Sequence, residues 1–219
     1  VSMLSMAASY YEELFKEEGV MRPHPYTDSP RVVWENAEER IPPITMPELL
    51  KAVARVKRKQ STDAHGVSAL MLAYIPDRMF GSILKIFNES LESCVSSSLW
   101  KDVKMKLIAK KDTICSVTNT RPISLLDIFL KLLERSFLAR LKKVIENRGI
   151  LHDSQSGFRS NFRLQSRVLA LVDQISSLMT TGTPVATVFI DFRQAFDQLW
   201  WGGCLAKMLN LGIPSHYVR

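Results

Sequence analysis

The stretch TPVATVFIDFRQAFDQLWWG, residues 183–202, joins an apolar run to two carboxylates. Asp191 follows the run directly, and Asp197 comes six positions later. A carboxylate at the end of a buried strand is costly unless it is paired or bound to a metal ion. The residues alone leave two interpretations open, a metal-binding acid or an ordinary acid at a strand end or helix cap.

Positive charge is concentrated in the middle of the chain. Residues 101–148 carry 12 basic and 5 acidic groups, whereas residues 1–50 carry 4 basic and 9 acidic groups. A basic segment attracts phosphate groups, although charge alone is equally compatible with a solvated helix face. Charge alone therefore does not distinguish a partner that carries phosphate groups, such as nucleic acid or nucleotides, from a solvated surface, and the sequence motifs are needed to choose between them.

Hydrophobic periodicity predicts the helices that position these groups. The predicted helices span residues 1–18, 45–59, 79–95, 126–148, 164–179 and 203–210. Thr45 and Glu48 have the spacing of a capping box at the start of the second helix. Lys57, Arg58 and Lys59 are placed in its last turn, where cations complement the helix dipole, so they are interpreted as surface residues.

Two strands are predicted around the acidic and basic groups. Apolar residues and lysines alternate over residues 103–107, which indicates a strand with one wet, basic face. VATVFI, residues 185–190, is rich in β-branched residues and does not alternate, which indicates a strand buried on both faces. This second strand would deliver Asp191 to the floor of a cleft.

Composition excludes several classes of protein. The chain of 219 residues is 46% hydrophobic and has no apolar run near the ~20 residues that cross a bilayer. Its three cysteines lack ligand-like spacing, and no signal pattern opens the sequence, so an intracellular, nuclear or cytoplasmic protein is expected. A start at Val1 suggests a fragment or a processed chain.

The segment VFIDFRQAFDQLWWGGCLAKMLNLGIP, residues 188–214, resembles the first palm motif of reverse transcriptases from non-long-terminal-repeat retrotransposons. In that family a strand ends in the catalytic Asp, Ala-Phe-Asp follows four residues later, and a helix ends in Leu-Gly-Ile-Pro. These correspond here to Asp191, to residues 195–197 and to residues 211–214. The match is specific in residue type and in spacing.

Further stretches resemble the same family in its own order. NTRPISLLDIFLKLLERSFLARL resembles a fingers motif, LHDSQSGFRSNFRLQSRVLAL resembles the next motif, and KQSTDAHGVSALML with SLWKDVKMKLIAKKD resembles the upstream segments. The resemblance covers the chain from about Ile44 onward. Ala109 stands where the family usually has Pro, and neither an Asp-Asp pair nor a Pro-Gln-Gly motif occurs in this sequence.

The resemblance implies a helix-rich α+β fold with an incomplete sheet, the fingers and partial palm of a right-hand polymerase. Residues 1–44 would be an N-terminal helix and an extended linker, and residues 45–219 the fingers and the start of the palm. The implied activity is RNA-templated DNA synthesis with Mg²⁺, an RNA template, a DNA primer and deoxynucleoside triphosphates. Without the Asp-Asp motif this chain alone is not expected to catalyse it. A degenerate nucleic-acid-binding module without catalysis remains the alternative, and a purely structural helical protein is a third.

The resemblance also implies roles in the metal and nucleotide sites. Asp191 and the backbone carbonyl of Phe192 would ligate metal ions. Lys110, Lys111 and Arg121 would bind the triphosphate, because a guanidinium offers a fork of donors and an ammonium offers a point charge.

The resemblance also implies contacts with the sugar and the template for two aromatic side chains and one basic side chain. Phe196 would be the steric gate that rejects a 2′-hydroxyl, with a core phenylalanine as the alternative. Arg159 would contact the template strand. Phe158 would stack on a template base, although core packing is the preferred interpretation for this residue.

Overall fold

A computed structural model describes residues 2–16, 38–110, 116–192 and 195–219. The helices are α1 (Met3–Leu14), α2 (Met46–Ala54), α3 (Asp77–Ser93), α4 (Ile128–Asn147), α5 (Leu164–Thr180) and α6 (Trp201–Asn210), and the strands are β1 (Lys104–Ala109) and β2 (Thr120–Leu125). The predicted mixture of many helices with a small sheet is therefore confirmed. The predicted linker falls mostly on residues 17–37, which lie outside the described residues.

Helices α2, α3 and α4 enclose the main hydrophobic core, which is called the helical core below. Its buried side chains are Ile44, Leu49, Ala52, Leu72, Phe80, Phe87, Trp100, Ile128, Leu132 and Leu133. The rings of Phe87 and Trp100 meet edge to face with their centroids 6.0 Å apart, an arrangement that aromatic quadrupoles favour. Apolar residues at helical spacing thus face one another across three helices.

The longest predicted helix is confirmed as α4, with both of its ends set by local chemistry. Oδ1 of Asp127 accepts hydrogen bonds from the backbone N–H groups of Phe129 at 2.8 Å and Leu130 at 3.0 Å. These bonds satisfy donors that have no partner within the helix. Gly149 follows the helix with a φ of 59°, a left-handed conformation that glycine adopts without strain.

Helix α2 begins where predicted and ends earlier than predicted. Oε2 of Glu48 accepts the backbone N–H of Thr45 at 2.8 Å and its hydroxyl at 2.9 Å. The helix stops at Ala54, so the placement of residues 57–59 in its last turn is wrong. The chain forms turns after this helix. The N–H of Val56 donates to the carbonyl of Val53, and the N–H of Lys59 donates to the carbonyl of Lys57.

The segment before α2 is fixed to α4 by Arg140. Its guanidinium donates hydrogen bonds to the carbonyls of Pro42 and Pro43, both at 2.8 Å, and to Glu48 at 2.9 Å. The pKa of Glu48 is lowered, first by the Thr45 N–H and also by Arg140. Ile44 is buried in the helical core, so residues just before α2 pack as part of the same unit.

Strands β1 and β2 form an antiparallel hairpin. Lys104 pairs with Leu125 at its base, and Ala109 pairs with Thr120 at its tip. β1 confirms the predicted strand, and its partly exposed Met105 and Leu107 line one apolar groove together with α1. β2 was not predicted as a strand, because Pro122 cannot donate a ladder hydrogen bond. Both strands are sheet edges here, where proline is tolerated.

None of the described residues from 150 to 200 is buried. Helix α5 matches its prediction but has no buried residue. The predicted strand over residues 185–190 is wrong, since this segment has no regular secondary structure and Phe189 is 83% exposed. A strand exists only through hydrogen bonds to a neighbour, and among the described residues β1 and β2 pair with each other.

Within the described ranges, no helix combines the length and the apolar character needed to cross a membrane.

Candidate nucleotide site

The tip of the hairpin holds Lys110 in place. Its backbone N–H donates to the carbonyl of Asn119 at 2.8 Å, and its Nζ donates to the carbonyl of Thr118 at 2.9 Å. The lysine is therefore bonded to the residues that lead into β2 and carries its charge at the tip. Lys111, the next predicted phosphate ligand, lies outside the described residues.

A pocket of about 460 Å³ lies beside this tip, called the tip pocket below. Lys110 and Arg121 line it from the hairpin, and Phe196 and Asp197 line it from the segment before α6. The structure thus brings together three of the predicted nucleotide-binding residues. Two cations and an aromatic ring in one pocket can bind phosphate oxygens and cover a sugar or a base.

Helix α1 forms another wall of the tip pocket, through Tyr10, Tyr11 and Leu14. The Thr120 hydroxyl donates to the carbonyl of Val117 at 2.6 Å, which leaves its oxygen free to accept the Tyr11 hydroxyl at 2.8 Å. Thr120 directly precedes Arg121, so the tyrosine fixes the backbone beside a predicted phosphate ligand. Sequence reasoning missed this role, and the two tyrosines of an otherwise amphipathic helix are the signal that could have indicated it.

Phe196 does not pack in a core. Its side chain is 80% exposed, so the alternative of a core phenylalanine is wrong in this structure. Its position on the tip pocket is consistent with a ring that contacts a nucleotide. The role as a sugar gate remains a prediction.

Asp191 lies on the exposed, irregular segment rather than at the end of a buried strand. Its carboxylate and the carbonyl of Phe192 are oxygen donors of the kind that Mg²⁺ accepts. Within the described part of the chain, no three His, Cys, Asp or Glu side chains cluster closely enough to hold a metal ion. The donor types therefore fit Mg²⁺, but these two groups do not make a complete metal centre.

The two residues predicted to contact the template behave differently from each other. Phe158 is 88% exposed and has a φ of 62°, so its preferred placement in a core is wrong. Arg159 donates to the carbonyls of His152 at 2.9 Å and Gln155 at 3.3 Å and lies 4.0 Å over the ring of Phe162. Arg159 thus stabilises its own loop, and contact with a template by either residue stays a prediction.

Comparison with known proteins places this arrangement in a family. Residues 108–219, just over half of the chain, match the family model for reverse transcriptase (RNA-dependent DNA polymerase). The chain belongs to the reverse transcriptase family. The matched residues include the hairpin tip, Asp191 and Phe196, whereas α1, α2 and α3 precede them.

Similar proteins extend the reverse transcriptase likeness toward the N-terminus. A probable RNA-directed DNA polymerase from transposon BS of Drosophila melanogaster is 32% identical over 81% of this chain and 20% of its own length. The RNA-directed DNA polymerase from mobile element jockey of the same species is 25% identical over 94% of the chain and 24% of its own length. The resemblance to reverse transcriptases of non-long-terminal-repeat elements is thereby confirmed.

A vertebrate protein shows the same likeness. The 149 kDa protein of transposon TX1 from Xenopus laevis is 24% identical over 88% of this chain. The chain spans 20% and 24% of the two Drosophila melanogaster relatives. It thus corresponds to only a part of these longer proteins. Enzymes of the reverse transcriptase family generally use divalent metal ions.

Proposed function

We propose that this chain forms the fingers and the first part of the palm of a right-hand polymerase. In a protein of its relatives' length, it would take part in DNA synthesis on an RNA template, from a DNA primer and deoxynucleoside triphosphates. Residues 45–219 would form this unit, and residues 1–44 would be an N-terminal helix and an extended linker.

The tip pocket is the observation that supports this proposal most strongly. Lys110 and Arg121 lie on one hairpin, and Phe196 lies far along the chain, yet all three line one cavity. The family pattern assigns these same positions to the triphosphate and the sugar. Agreement between a motif and a spatial cluster is stronger support than either alone.

Each side chain of the tip pocket would act on a different part of the nucleotide. Arg121 would clamp phosphate oxygens through two parallel N–H groups, and Lys110 would neutralise a further negative charge. The ring of Phe196 would lie under the sugar and leave no space for a 2′-hydroxyl. Positioning and charge stabilisation provide nearly all of the catalysis in phosphoryl-transfer enzymes.

Asp191 and the Phe192 carbonyl would hold Mg²⁺ together with acids that the described residues do not place beside them. When bound in such sites, divalent cations stabilise the attacking and leaving oxygens. The contribution of this chain would be one negatively charged ligand, the carboxylate of Asp191.

The test joins this chain to the remaining polymerase segment of the transposon BS relative and measures incorporation of deoxynucleotides on an RNA template. Asp191→Asn is expected to lower incorporation by more than about 100-fold, because a neutral amide is a poor replacement for a charged ligand of Mg²⁺. The matched control is Asp173→Asn, which makes the same change at an exposed position of α5 that does not line the tip pocket and is expected to keep most activity.

Circular dichroism and RNA binding establish that each fusion protein is folded. Equal activity of the parent and Asp191→Asn proteins would contradict the proposal. A fusion that binds RNA but incorporates no nucleotide in any form would favour the alternative, a nucleic-acid-binding module without catalysis.

A further inference from the structure

A second cationic cavity lies at the base of the hairpin, at the end opposite to the tip pocket. It is called the basal groove here and has a volume of about 370 Å³. Its basic lining residues are Arg55, Lys57, Lys59, Lys131 and Arg135. No motif discussed above assigns a function to this cavity.

The early end of α2 creates the basal groove. Because the helix stops at Ala54, residues 55–59 turn across the start of α4 instead of continuing along a helix face. Lys131 and Arg135 are four positions apart on α4 and therefore share one face. Arg135 donates to the carbonyl of Ala52 at 3.3 Å, which joins the two sides of the groove.

Acidic side chains do not neutralise the basal groove. Asp63 lines it but is buried, and its carboxylate accepts the N–H groups of His65 at 3.0 Å, Val67 at 2.9 Å and Ile128 at 3.2 Å. Glu134 lies near Lys131. Burial raises the pKa of the Glu134 carboxyl, whereas the positive charge of Lys131 has the smaller, opposite effect and lowers it.

Among the described residues, none of the five basic side chains forms an ion pair with a carboxylate. Like charges that converge in a concave site create a positive potential, which concentrates anions. The basal groove is therefore suited to an anion that carries several charges along its length.

The basal groove is distinct from the tip pocket. Leu125 lines the groove and pairs with Lys104 at the base of the hairpin, whereas Arg121 belongs to the tip. Leu125 lies four residue steps along the extended strand from Arg121, a distance of about 13 Å. One nucleoside triphosphate does not need both sites, so the groove is available to a longer ligand.

We propose that the basal groove binds the phosphodiester backbone of an RNA strand. The described lining residues include no aromatic side chain on which a base could stack, so contact is made through phosphates without reading the sequence. The choice of RNA as the ligand rests on the proposed function. The anion site itself rests on the five cations.

The experiment measures binding of the 219-residue chain to a fluorescent single-stranded RNA of 20 nucleotides over a series of salt concentrations. The test variant carries Lys57→Gln, Lys59→Gln and Lys131→Gln. Each lost phosphate contact removes about 0.7 from the slope of log affinity against log salt for a single strand. The slope is therefore expected to fall by about 2, and a second RNA of unrelated sequence is expected to show the same fall.

The matched control carries Lys85→Gln, Lys101→Gln and Lys143→Gln, which remove the same charge from exposed positions outside the groove. Its slope is expected to stay close to that of the parent chain. Equal slopes in all three proteins, an equal fall in both variants, or a fall seen with one RNA sequence and not the other would overturn the proposal.

Failure of this test is distinguishable from failure of the proposed function. Lys57, Lys59 and Lys131 do not line the tip pocket, so a fusion polymerase can lose RNA affinity through them and still show the Asp191 dependence. An unchanged RNA slope together with Asp191-dependent incorporation would reject the basal groove alone.

Discussion

Two regions of this molecule have similar apolar side chains and very different surroundings. In the helical core Phe87 is 1% exposed, whereas in the apolar segment before Asp191 Phe189 is 83% exposed. Leu132 in α4 is buried, whereas Leu169 in α5 is exposed. Apolar composition is therefore insufficient for burial, which also requires a neighbouring element with a complementary face.

The largest expected difference between the two regions is in the cost of removing an aromatic ring. Phe87→Ala should lower the free energy of unfolding by about 3–5 kcal/mol, because it leaves a cavity in a packed core. Phe189→Ala should change the free energy of unfolding by less than about 0.5 kcal/mol in this chain, because the exposed ring buries little apolar area. Urea denaturation of the two variants measures both values, and similar losses would show that the segment around Phe189 is packed.

A second comparison concerns carboxylates of the two regions. Asp63→Ala should cost about 2–3 kcal/mol, since three backbone N–H groups, including that of Ile128 at the start of α4, lose a charged acceptor. Asp191→Ala should leave stability within about 0.5 kcal/mol of the parent. Thermal unfolding monitored by circular dichroism separates the two, and a neutral Asp63→Ala would mean that the loop finds other acceptors.

Sequence analysis succeeded where the stabilising interactions are local. The apolar spacing of α4 lies within the helix itself, so periodicity alone could predict a helix over residues 126–148. The early end of α2 could not be predicted in this way, because no Gly or Pro occurs in residues 54–60. That end depends on turns that form against other parts of the fold.

Strand predictions were wrong where the formation of a strand depends on hydrogen bonds to a neighbouring segment. β1 was predicted and its partner β2 was not, because Pro122, which has no backbone N–H to donate, is not expected inside a strand. Residues 185–190 have strand propensity, but propensity describes a side chain that fits a sheet, and here no described strand pairs with them. For the same reason the spatial cluster of Lys110, Arg121 and Phe196 was foreseen through a family motif and not through secondary structure.

Helix α1 offers a smaller test of which elements belong to the packed part of the molecule. Tyr11→Phe should lower the free energy of unfolding by about 1 kcal/mol, because the buried oxygen of Thr120 loses its donor. Tyr74→Phe is the matched control, since this ring is 78% exposed, and it should have no measurable effect. If the two variants unfold alike, α1 does not depend on this hydrogen bond for its attachment to the hairpin.

The smallest expected effect is a dependence of stability on pH through His65. The pKa of His65 is raised, mainly because its ring N–H donates to the carbonyl of Leu99 at 2.9 Å and also because of the nearby Asp102 carboxylate. A raised pKa in the folded state means that the protonated form is stabilised. This contribution is complete below the ordinary value of 6.5 and is lost as the pH rises through the higher folded value.

The free energy of unfolding of the parent chain should therefore fall slightly from pH 6 to pH 8 relative to that of His65→Gln. Denaturation curves at several pH values measure the difference between the two proteins. A constant difference over this range would show that His65 does not change its protonation on folding.

The assignment of the tip pocket to a deoxynucleoside triphosphate is tested most directly by sugar selectivity. In the fusion polymerase, Phe196→Ala should raise incorporation of ribonucleotides relative to deoxynucleotides by about tenfold or more, because space opens under the 2′-carbon. Phe189→Ala, the matched loss of a ring outside the pocket, should leave the ratio unchanged. A ratio that does not move in Phe196→Ala, or that moves equally in both variants, would contradict the assignment.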